Sequence, residues 1–362
     1  DLGTRLALGN HHFVALGYGL RRPNQAFRLL HHLHPARAVN IHRLYPTLFS
    51  PSPSERGPGG EASISPIMAL NLYEIVTARI IAALESGKAP WRKPWTAYGF
   101  PSNYFRHHTY QGINALVLNF TEYEHPFFAT LHQVNEHGGS IRKGAKAEQV
   151  YFFKYLYFDR DGQKVSALDY KALREIGHHG KCKRFLQYFN VFNVADFEGI
   201  EVRLPEPPPG DGCERAAALL QNLPEQPHLI RTVKDRAFYS PMTDRINMPY
   251  ERQFVSMEEY YCTFFHELTH WTGHPCRLHR LEPATFGTEP YAKEELVAEI
   301  GAAFLCARTG IARPEVTDNT AAYLRGWIDR LKGDNTLIFD AASDARKAAA
   351  WLCNEVTEPV EV

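Results

Sequence analysis

The stretch His266-Glu267-Leu268-Thr269-His270 decides the fold of the second half of this chain. Ser256 and Glu259 form a capping-box pattern ten residues before it, which predicts the start of a helix. Apolar residues then recur at helical spacing, and Gly273 ends the pattern. These apolar residues are Tyr260, Tyr261, Phe264, Leu268 and Trp271. The stretch is therefore predicted to occupy the last turns of an amphipathic helix.

Two histidines four residues apart lie on the same face of a helix, so His266 and His270 are candidate ligands of one Zn²⁺. Glu267 is the candidate catalytic base, since it lies beside the first ligand and could take a proton from a metal-bound water. Two imidazoles and a carboxylate also suit Mn²⁺ or Co²⁺. The competing interpretation is a structural histidine pair without a metal, and the helical context favours the metal.

A third ligand is expected from the segment after Pro290 and Tyr291, which is predicted to form a second helix. Glu295 and Glu299 lie one turn apart on a stripe of small residues that would pack against the first helix. We assign Glu295 as the third ligand and Glu299 as the acceptor that orients a ligand imidazole, with the exchanged roles as the alternative. Glu294 is expected to face solvent. Tyr291 is a candidate for stabilising an oxyanion.

Upstream of the motif, residues Tyr239 to Pro249 are predicted to form a turn that leads into a short strand. Pro249 either ends this strand or confines it to the edge of a sheet. An edge strand could bind an extended peptide by backbone pairing, and an ordinary structural strand is an equal alternative.

The composition excludes several classes of protein. Forty Lys and Arg residues balance forty Asp and Glu residues among 362, which excludes a uniformly basic binder. No apolar run is long enough to span a membrane, and no secretory signal is recognisable at the start. None of the six cysteines forms a C-x-x-C pair, which is typical of reduced thiols and predicts a cytoplasmic protein.

The charges divide the chain into unlike segments. Residues 1–67 contain seven arginines and no lysine, and they are predicted to be an extension that does not fold or is foreign to the protein. Residues 68–203 carry 17 basic and 13 acidic residues and are predicted to be one domain. A Pro/Gly-rich linker is predicted at 204–213 and a second domain at 214–362. The segment 204–362 carries 16 basic and 24 acidic residues, so different partners are expected for the two halves.

The first domain is predicted to be α+β. A helix is expected from Asn71 to Gly87 and a second from Phe128 to Glu136. Residues Gln149–Phe158 and Phe185–Val194 are rich in aromatic and β-branched side chains, which predicts two strands. The second domain is predicted to be mainly helical with a small sheet.

Aromatic and basic residues of the first domain suggest single-stranded DNA as a partner, because bases stack on aromatic rings in a basic groove. The candidate contacts are Trp91, Arg92, Lys93, Trp95, Arg142, Lys143 and Lys146. The alternative is that the tryptophans anchor the core and that the basic run is a solvated face.

Residues 68–355 resemble the ArdC-type antirestriction proteins of conjugative plasmids, and the first domain is similar to part of the TraC-type plasmid primases. The resemblance is carried in order by Asn71–Thr77, Trp91–Trp95, Tyr110-Gln-Gly-Ile-Asn114, Gly138-Gly139, Arg142-Lys-Gly144, Val191–Val194, Tyr239-Ser-Pro, Asp244-Arg-Ile, His266–His274, Arg277-Leu278 and Glu294–Glu299. It adds Tyr110 and Asn114 to the candidate DNA contacts.

The resemblance implies a domain that binds single-stranded DNA, followed by a zincin-like metallopeptidase domain. The implied role is to protect incoming plasmid DNA from restriction in the recipient cell. The protein substrate is unknown and could be a component of the restriction system. The alternative is a protection factor that binds single-stranded DNA without catalysis and holds a structural metal.

Overall fold

The computed structural model describes residues 66–92, 95–96, 98–121, 123–281, 289–311 and 321–355. The predicted extension 1–67 therefore lies outside the described residues except for its last two. Within these ranges the chain alternates short helices and strands in its first half and is mainly helical in its second half. No helix in the described ranges is both long and apolar enough to cross a membrane.

The first half contains four helices and seven strands among its described residues. In chain order they are α1 (Pro66–Glu85), β1 (Ser102–Asn103), α2 (Ile113–Asn119), β2 (Phe127–Ala129), α3 (Leu131–Glu136), β3 (Ser140–Ile141), β4 (Glu148–Phe158), β5 (Lys164–Val165), α4 (Ala167–Glu175), β6 (Lys181–Asn193) and β7 (Phe197–Glu198). A short 3-10 turn at Pro90–Arg92 follows α1. The predicted α+β class is confirmed.

The long antiparallel pair of β4 and β6 forms the centre of this half. It belongs to a five-stranded sheet with the order β1-β2-β6-β4-β5. The pairing runs without a break from Glu148 opposite Val191 to Phe158 opposite Lys181. Near its inner end, apolar side chains from five elements or loops form a buried cluster. The cluster contains Tyr110, Leu118, Phe128, Val150 and Val191.

The second half contains five helices and a small sheet among its described residues. The elements are α5 (Gly212–Gln221), β8 (His228–Thr232), β9 (Phe238–Ser240), β10 (Arg245–Pro249), α6 (Met257–Thr272), α7 (Glu289–Thr309), α8 (Ala321–Gly333) and α9 (Leu337–Leu352). Strand β10 lies in the centre of the sheet, parallel to β8 and antiparallel to β9. The predicted mainly helical domain with a small sheet is confirmed.

Helices α6, α7 and α9 pack on one another and form the core of the second half. Helices α6 and α7 approach closely where Gly301 faces Thr269. A Cβ atom at Gly301 would lie 2.4 Å from Thr269 Cγ2, so a larger residue would push the helices apart. Since α6 carries the paired histidines and α7 the candidate third ligand, this contact keeps the two helices within reach of a common ion.

The two halves pack together as parts of one compact unit. Helix α1 lies against α8, and Thr77 Oγ1 donates a 2.8 Å hydrogen bond to the backbone oxygen of Asn335. Trp91 is fully buried, with its ring 5.9 Å from that of Trp327 on α8. The segment that follows α1 therefore serves as part of the core that joins both halves.

Three boundaries differ from the sequence predictions. Helix α1 begins at Pro66, ahead of Asn71, because proline suits the first turn of a helix. Phe128 belongs to β2, and the helix after it begins only beyond Thr130, whose side chain forms a capping box with Gln133. Asp211 caps α5 by accepting a hydrogen bond from the Cys213 backbone, so the predicted linker 204–213 ends earlier.

Candidate metal centre

Helix α6 carries the paired histidines as the sequence predicts. The Ser256 hydroxyl accepts a hydrogen bond from the Glu259 backbone N–H at 3.2 Å, and the Glu259 carboxylate accepts one from the Val255 N–H at 2.9 Å. This reciprocal cap begins the helix, which ends at Thr272. The motif thus occupies the last two turns, where its histidines lie on one face.

His266, His270 and Glu295 come together between α6 and α7, and we call these three residues the metal centre. The two Nε2 atoms lie 3.2 Å apart. The Glu295 carboxylate lies 3.8 Å from His266 Nε2 and 3.6 Å from His270 Nε2. All three ligand atoms fall within 4.8 Å of one another, a spacing that one ion can bridge. Two imidazole nitrogens and one carboxylate oxygen fit a divalent transition metal.

Glu294, rather than the predicted Glu299, contacts the imidazole of His270. Its carboxylate lies 3.2 Å from His270 Nδ1, the ring nitrogen that faces away from the metal centre. Arg280 holds the same carboxylate with two hydrogen bonds of 2.8 and 2.9 Å. The prediction that Glu294 faces solvent is wrong, because its side chain is 12% exposed and enclosed by these partners. Such a carboxylate fixes the orientation of a ligand imidazole.

Glu299 has a different task in the structure. It is buried and accepts a 2.8 Å hydrogen bond from Arg92, which belongs to the short turn after α1. The guanidinium of Arg92 also lies 4.6 Å from the Tyr323 ring centre. The prediction that Glu299 orients an imidazole is therefore wrong. This pair instead ties the first half of the chain to the helix that supplies Glu295.

Glu267 is buried at the wall of the metal centre, with 5% of its surface exposed. Its Oε2 accepts a 2.7 Å hydrogen bond from the backbone N–H of Tyr239 on β9. Burial raises the pKa of this carboxyl to about 7, with the Glu295 carboxylate adding to the shift and His270 opposing it. A carboxyl with a pKa near neutrality can both take and return a proton.

The charged neighbours also change the proton affinity of His270. Burial lowers the pKa of its imidazole, but the surrounding carboxylates of Glu294, Glu295 and Glu267 outweigh burial and raise it to about 9. Burial raises the pKa of Glu295 as well. Metal binding at this centre must therefore displace a proton.

Tyr291 lies beside the third ligand. Burial and the charge of Glu295, to which its hydroxyl is hydrogen-bonded, raise the pKa of Tyr291. Its phenol therefore keeps its proton across the ordinary pH range and can donate a hydrogen bond into the site.

The small sheet differs from the predicted edge strand. Strand β10 ends at Pro249, which is one of the two predicted alternatives. It is not an edge strand, because it lies in the centre of the sheet and is paired on both sides. The edge positions belong to β8 and β9. Strand β9 packs against α6 and supplies the N–H group that holds Glu267.

A buried arginine that the motif analysis did not single out for a role fixes this hairpin to the end of α6. The side chain of Arg277 is 1% exposed, lies 4.0 Å above the Trp271 ring, and pairs with Asp244 in the turn between β9 and β10. Tyr239 donates to the same carboxylate at 2.8 Å. Burial alone would raise the pKa of Asp244. The hydrogen bonds from Arg277 and Tyr239 favour the ionised carboxylate and outweigh burial, so the pKa of Asp244 is lowered. The sequence feature that could have indicated this role is the pair of arginines, Arg277 and Arg280, that follows the helix.

The structure does not support the tryptophan segment as a surface for bases. Trp91 is fully buried and its indole N–H donates to the Tyr323 hydroxyl at 3.0 Å. Trp95 is 8% exposed and packs against Phe100. Arg92 is engaged with Glu299, and Lys93 lies outside the described residues. The prediction that these tryptophans stack on DNA is therefore wrong, because both rings are core anchors.

The other two DNA candidates taken from the resemblance are also structural. Tyr110 is 4% exposed and belongs to the buried cluster of the first half. Asn114 accepts a 2.6 Å hydrogen bond from the Tyr151 N–H and donates to the Tyr151 oxygen at 2.7 Å, which satisfies the backbone of β4 on its free side. Both residues are inaccessible to a nucleic acid.

The remaining candidates lie on the surface after β3. Arg142 pairs with Asp196, whose side chain is buried while that of Arg142 is 60% exposed. Lys143 and Lys146 are exposed. These three residues stay candidate contacts for DNA.

Comparison with known proteins agrees with this architecture. A family model described as the zincin-like metallopeptidase matches residues 214–344, so the second half belongs to the class of zincin-like metallopeptidase domains. A model of the N-terminal domain of the anti-restriction factor ArdC matches residues 70–192. With the relatives described next, these matches show that the chain belongs to the ArdC family of antirestriction proteins.

Two solved structures of the antirestriction protein ArdC from plasmid R388 share 33% identity with this chain. The metal-free one covers 79% of this chain and 100% of its own, with a TM-score of 0.61. The Mn(II)-bound one covers 78% and 97%, with a TM-score of 0.60. A divalent metal is thus bound by a relative with the same fold.

The curated relatives are longer or uncharacterised. Two DNA primases TraC from Escherichia coli are 35% identical over 76% of this chain, which spans only 26% and 19% of their lengths. The uncharacterised protein y4eC of Sinorhizobium fredii is 32% identical over 78% of this chain and 91% of its own length.

Proposed function

We propose that this protein protects incoming DNA from restriction by binding single-stranded DNA and by cleaving a protein with a zinc-dependent peptidase centre. The observation that carries the peptidase proposal is the convergence of His266, His270 and Glu295 beside the buried Glu267. We propose a cytoplasmic location for this role, since none of the six cysteines of the sequence forms a C-x-x-C pair.

Zn²⁺ held by these three residues would supply a Lewis acid for a peptide carbonyl and lower the pKa of a water molecule. Glu267 would accept a proton from a water molecule at a carboxylate oxygen and return it to the leaving amine. The Tyr239 N–H holds one carboxylate oxygen of Glu267. Tyr291 keeps its proton and is the candidate donor to a developing oxyanion.

The substrate would approach as an extended peptide along β9. This strand lies at an edge of the small sheet and directly contacts the helix that carries Glu267. An edge strand offers backbone groups for pairing, which selects extended segments with little dependence on sequence. A component of the restriction system remains our candidate protein substrate.

Single-stranded DNA is proposed as the partner of the first half. Support comes from the ArdC match over residues 70–192, from the relation to primases, and from a net charge of +4 over residues 68–203. The negative net charge of the second half would disfavour nucleic acid there and suits a protein partner.

The test is transformation of a restricting host with unmodified plasmid DNA, comparing the wild type with Glu267→Gln. We expect the variant to retain its metal and to cleave a substrate about 100- to 10,000-fold more slowly, because the general base is removed while the metal ligands remain. Loss of protection with retained metal supports the peptidase function.

Full protection by Glu267→Gln would contradict it and would favour the alternative, a DNA-binding protection factor with a structural metal. Metal content of each purified variant, measured by mass spectrometry, separates loss of the base from loss of the site. The conservative Glu267→Asp variant is the matched control, since it keeps the charge and shortens the reach.

A further inference from the structure

The β4–β6 ribbon presents one face that combines aromatic rings with lysines. Because directly opposed residues of an antiparallel pair share a face, the register places alternate residues of both strands together. We call the outer part of this surface the ribbon face. It consists of Phe152, Lys154, Leu156, Phe158, Lys181, Lys183, Phe185 and Phe189.

The rings of the ribbon face are accessible to solvent. Phe189 is 43% exposed and meets the half-buried Phe152 edge to face at a centroid distance of 5.6 Å. Phe158 is also half-buried, and the Lys183 ammonium lies 5.3 Å from its ring centre. An exposed phenylalanine ring is unfavourable in water and offers a surface on which a flat group can stack. A cation beside the ring attracts a negatively charged partner.

The charge of this surface has one sign. Within residues 152–158 and 181–189 the ribbon face carries Lys154, Lys181 and Lys183 but no aspartate or glutamate. Lys181 and Lys183 are exposed and lie on alternate positions of the same strand. A polyanion would therefore meet cations along the outer length of both strands without an acidic residue between them.

The opposite face of the ribbon is partly covered. Tyr157 packs against Tyr170 of α4 at 4.9 Å, and Phe153 lies 6.3 Å from Tyr73 of α1. Tyr155 lies on this opposite face and is 46% exposed, nearly the same as Phe189. The two residues therefore form a matched pair with equal exposure on different faces.

We propose that single-stranded DNA binds along the ribbon face, with bases stacked on Phe189 and its neighbouring rings and phosphates held by Lys181 and Lys183. This inference rests on the proposed DNA-binding function and assigns its site to residues that differ from the buried tryptophan segment. Stacking on rings combined with backbone contacts to cations is the common mode of binding single strands.

The spacing of the strands favours a single strand over a duplex. Residues on one face of a strand repeat about every 6.6 Å, whereas stacked bases in a duplex strand lie about 3.4 Å apart. Bases that follow the ribbon rings must separate from one another and stack on the protein instead. A single strand can do this at little cost, whereas a duplex would have to unpair.

The experiment measures fluorescence anisotropy of a labelled oligothymidylate of about 20 nucleotides, longer than the usual site of about 4–16 nucleotides. The full chain is titrated at several salt concentrations. We expect Phe189→Ala to weaken binding about 10-fold, as the loss of one stacked base does. The double variant Lys181→Gln/Lys183→Gln should weaken binding and reduce the slope of log K against log salt by about 1.4, since two phosphate contacts are lost.

Two matched controls accompany these variants. Tyr155→Ala removes an equally exposed ring from the opposite face and is expected to bind like the wild type. Lys143→Gln/Lys146→Gln removes the same charge from the other candidate surface, the turn after β3, and its salt slope should change less than that of Lys181→Gln/Lys183→Gln. Thermal unfolding of each variant checks the fold, and the surface lysine variant keeps the test valid if Phe189→Ala unfolds.

The outcomes are distinguishable. If the wild type does not bind the oligonucleotide at low salt, the proposed DNA-binding function fails and the inference with it. If the wild type binds but the ribbon variants bind equally well, or only the Lys143/Lys146 variant loses affinity, the ribbon assignment alone is overturned. Equal or tighter binding of a duplex or of oligouridylate would contradict single-stranded DNA as the partner.

Discussion

The metal centre and the ribbon face show two ways of arranging charge in one chain. Around the metal centre every named carboxylate is largely buried and has a partner: Glu294 pairs with Arg280, Glu299 with Arg92, and Glu267 with the Tyr239 backbone. On the ribbon face Lys181 and Lys183 are exposed, and so is the ring of Phe189. The first arrangement fixes atoms in place for a small ion, and the second offers a surface to a flexible polymer.

Substitutions should therefore have different effects in the two regions. A buried, paired charge cannot be removed without leaving its partner in a medium of low polarity, so stability and affinity both change. An exposed charge is screened by water and salt, so its removal changes only binding to a polyanion.

Arg92→Ala should produce the largest loss of stability. The substitution removes the guanidinium that balances Glu299, whose side chain is 5% exposed, and breaking such a buried pair costs about 3–5 kcal/mol. Urea denaturation followed by tryptophan fluorescence measures it. The control is Arg325→Ala on the exposed side of α8, expected within about 0.5 kcal/mol of the wild type. Equal stability of the two variants would show that the Arg92–Glu299 pair is unimportant.

Glu294→Gln should weaken metal binding about 10- to 100-fold while the fold is retained. The substitution removes the negative charge that holds His270 Nδ1, and losses of such outer partners have this size. Competition with a zinc-binding dye measures the affinity. Glu85→Gln, on an exposed glutamate of α1, is the control and should bind as the wild type does. An unchanged affinity for Glu294→Gln would contradict the orienting role.

Metal affinity should rise with pH by about tenfold per pH unit until the pH nears 9. The carboxylates raise the pKa of His270 to about 9, so below this pH the metal must displace a proton and above it the competition ends. Competition with a zinc-binding dye between pH 6 and 9 tests the direction of this pH dependence. Affinity that is flat over this range would mean that His270 does not hold the displaced proton.

The sequence predicts the approach of the two histidines, because local geometry is sufficient for it. His266 and His270 lie four residues apart on one helix, so the helix alone brings them together. The choice between Glu295 and Glu299 depends on the angle and register of α7 against α6, which Gly301 and Thr269 determine through a tertiary contact. Spacing along one helix carries no such information, and Glu294 was misjudged for the same reason.

The DNA candidates show the other limit. The pairing of a tryptophan with an arginine looks the same in sequence whether it lies in a core or on a surface. The partners of Trp91 include Tyr323 and Trp327, which lie more than 200 residues later. The two long strands of the first half are predictable from their aromatic and β-branched residues. Their register, which places Phe189 and Lys183 on one face, is set by pairing across the intervening α4 segment.

His266, His270 and Glu295 are proposed to bind one divalent ion together. Zinc titration calorimetry of Glu295→Gln beside Glu299→Gln is the decisive measurement, because the two residues are one turn apart on the same helix. We predict one Zn²⁺ per wild-type chain, a loss of affinity of at least about 100-fold for Glu295→Gln, and a much smaller change for Glu299→Gln. Wild-type affinity in Glu295→Gln, or the larger loss in Glu299→Gln, would contradict the assigned metal centre.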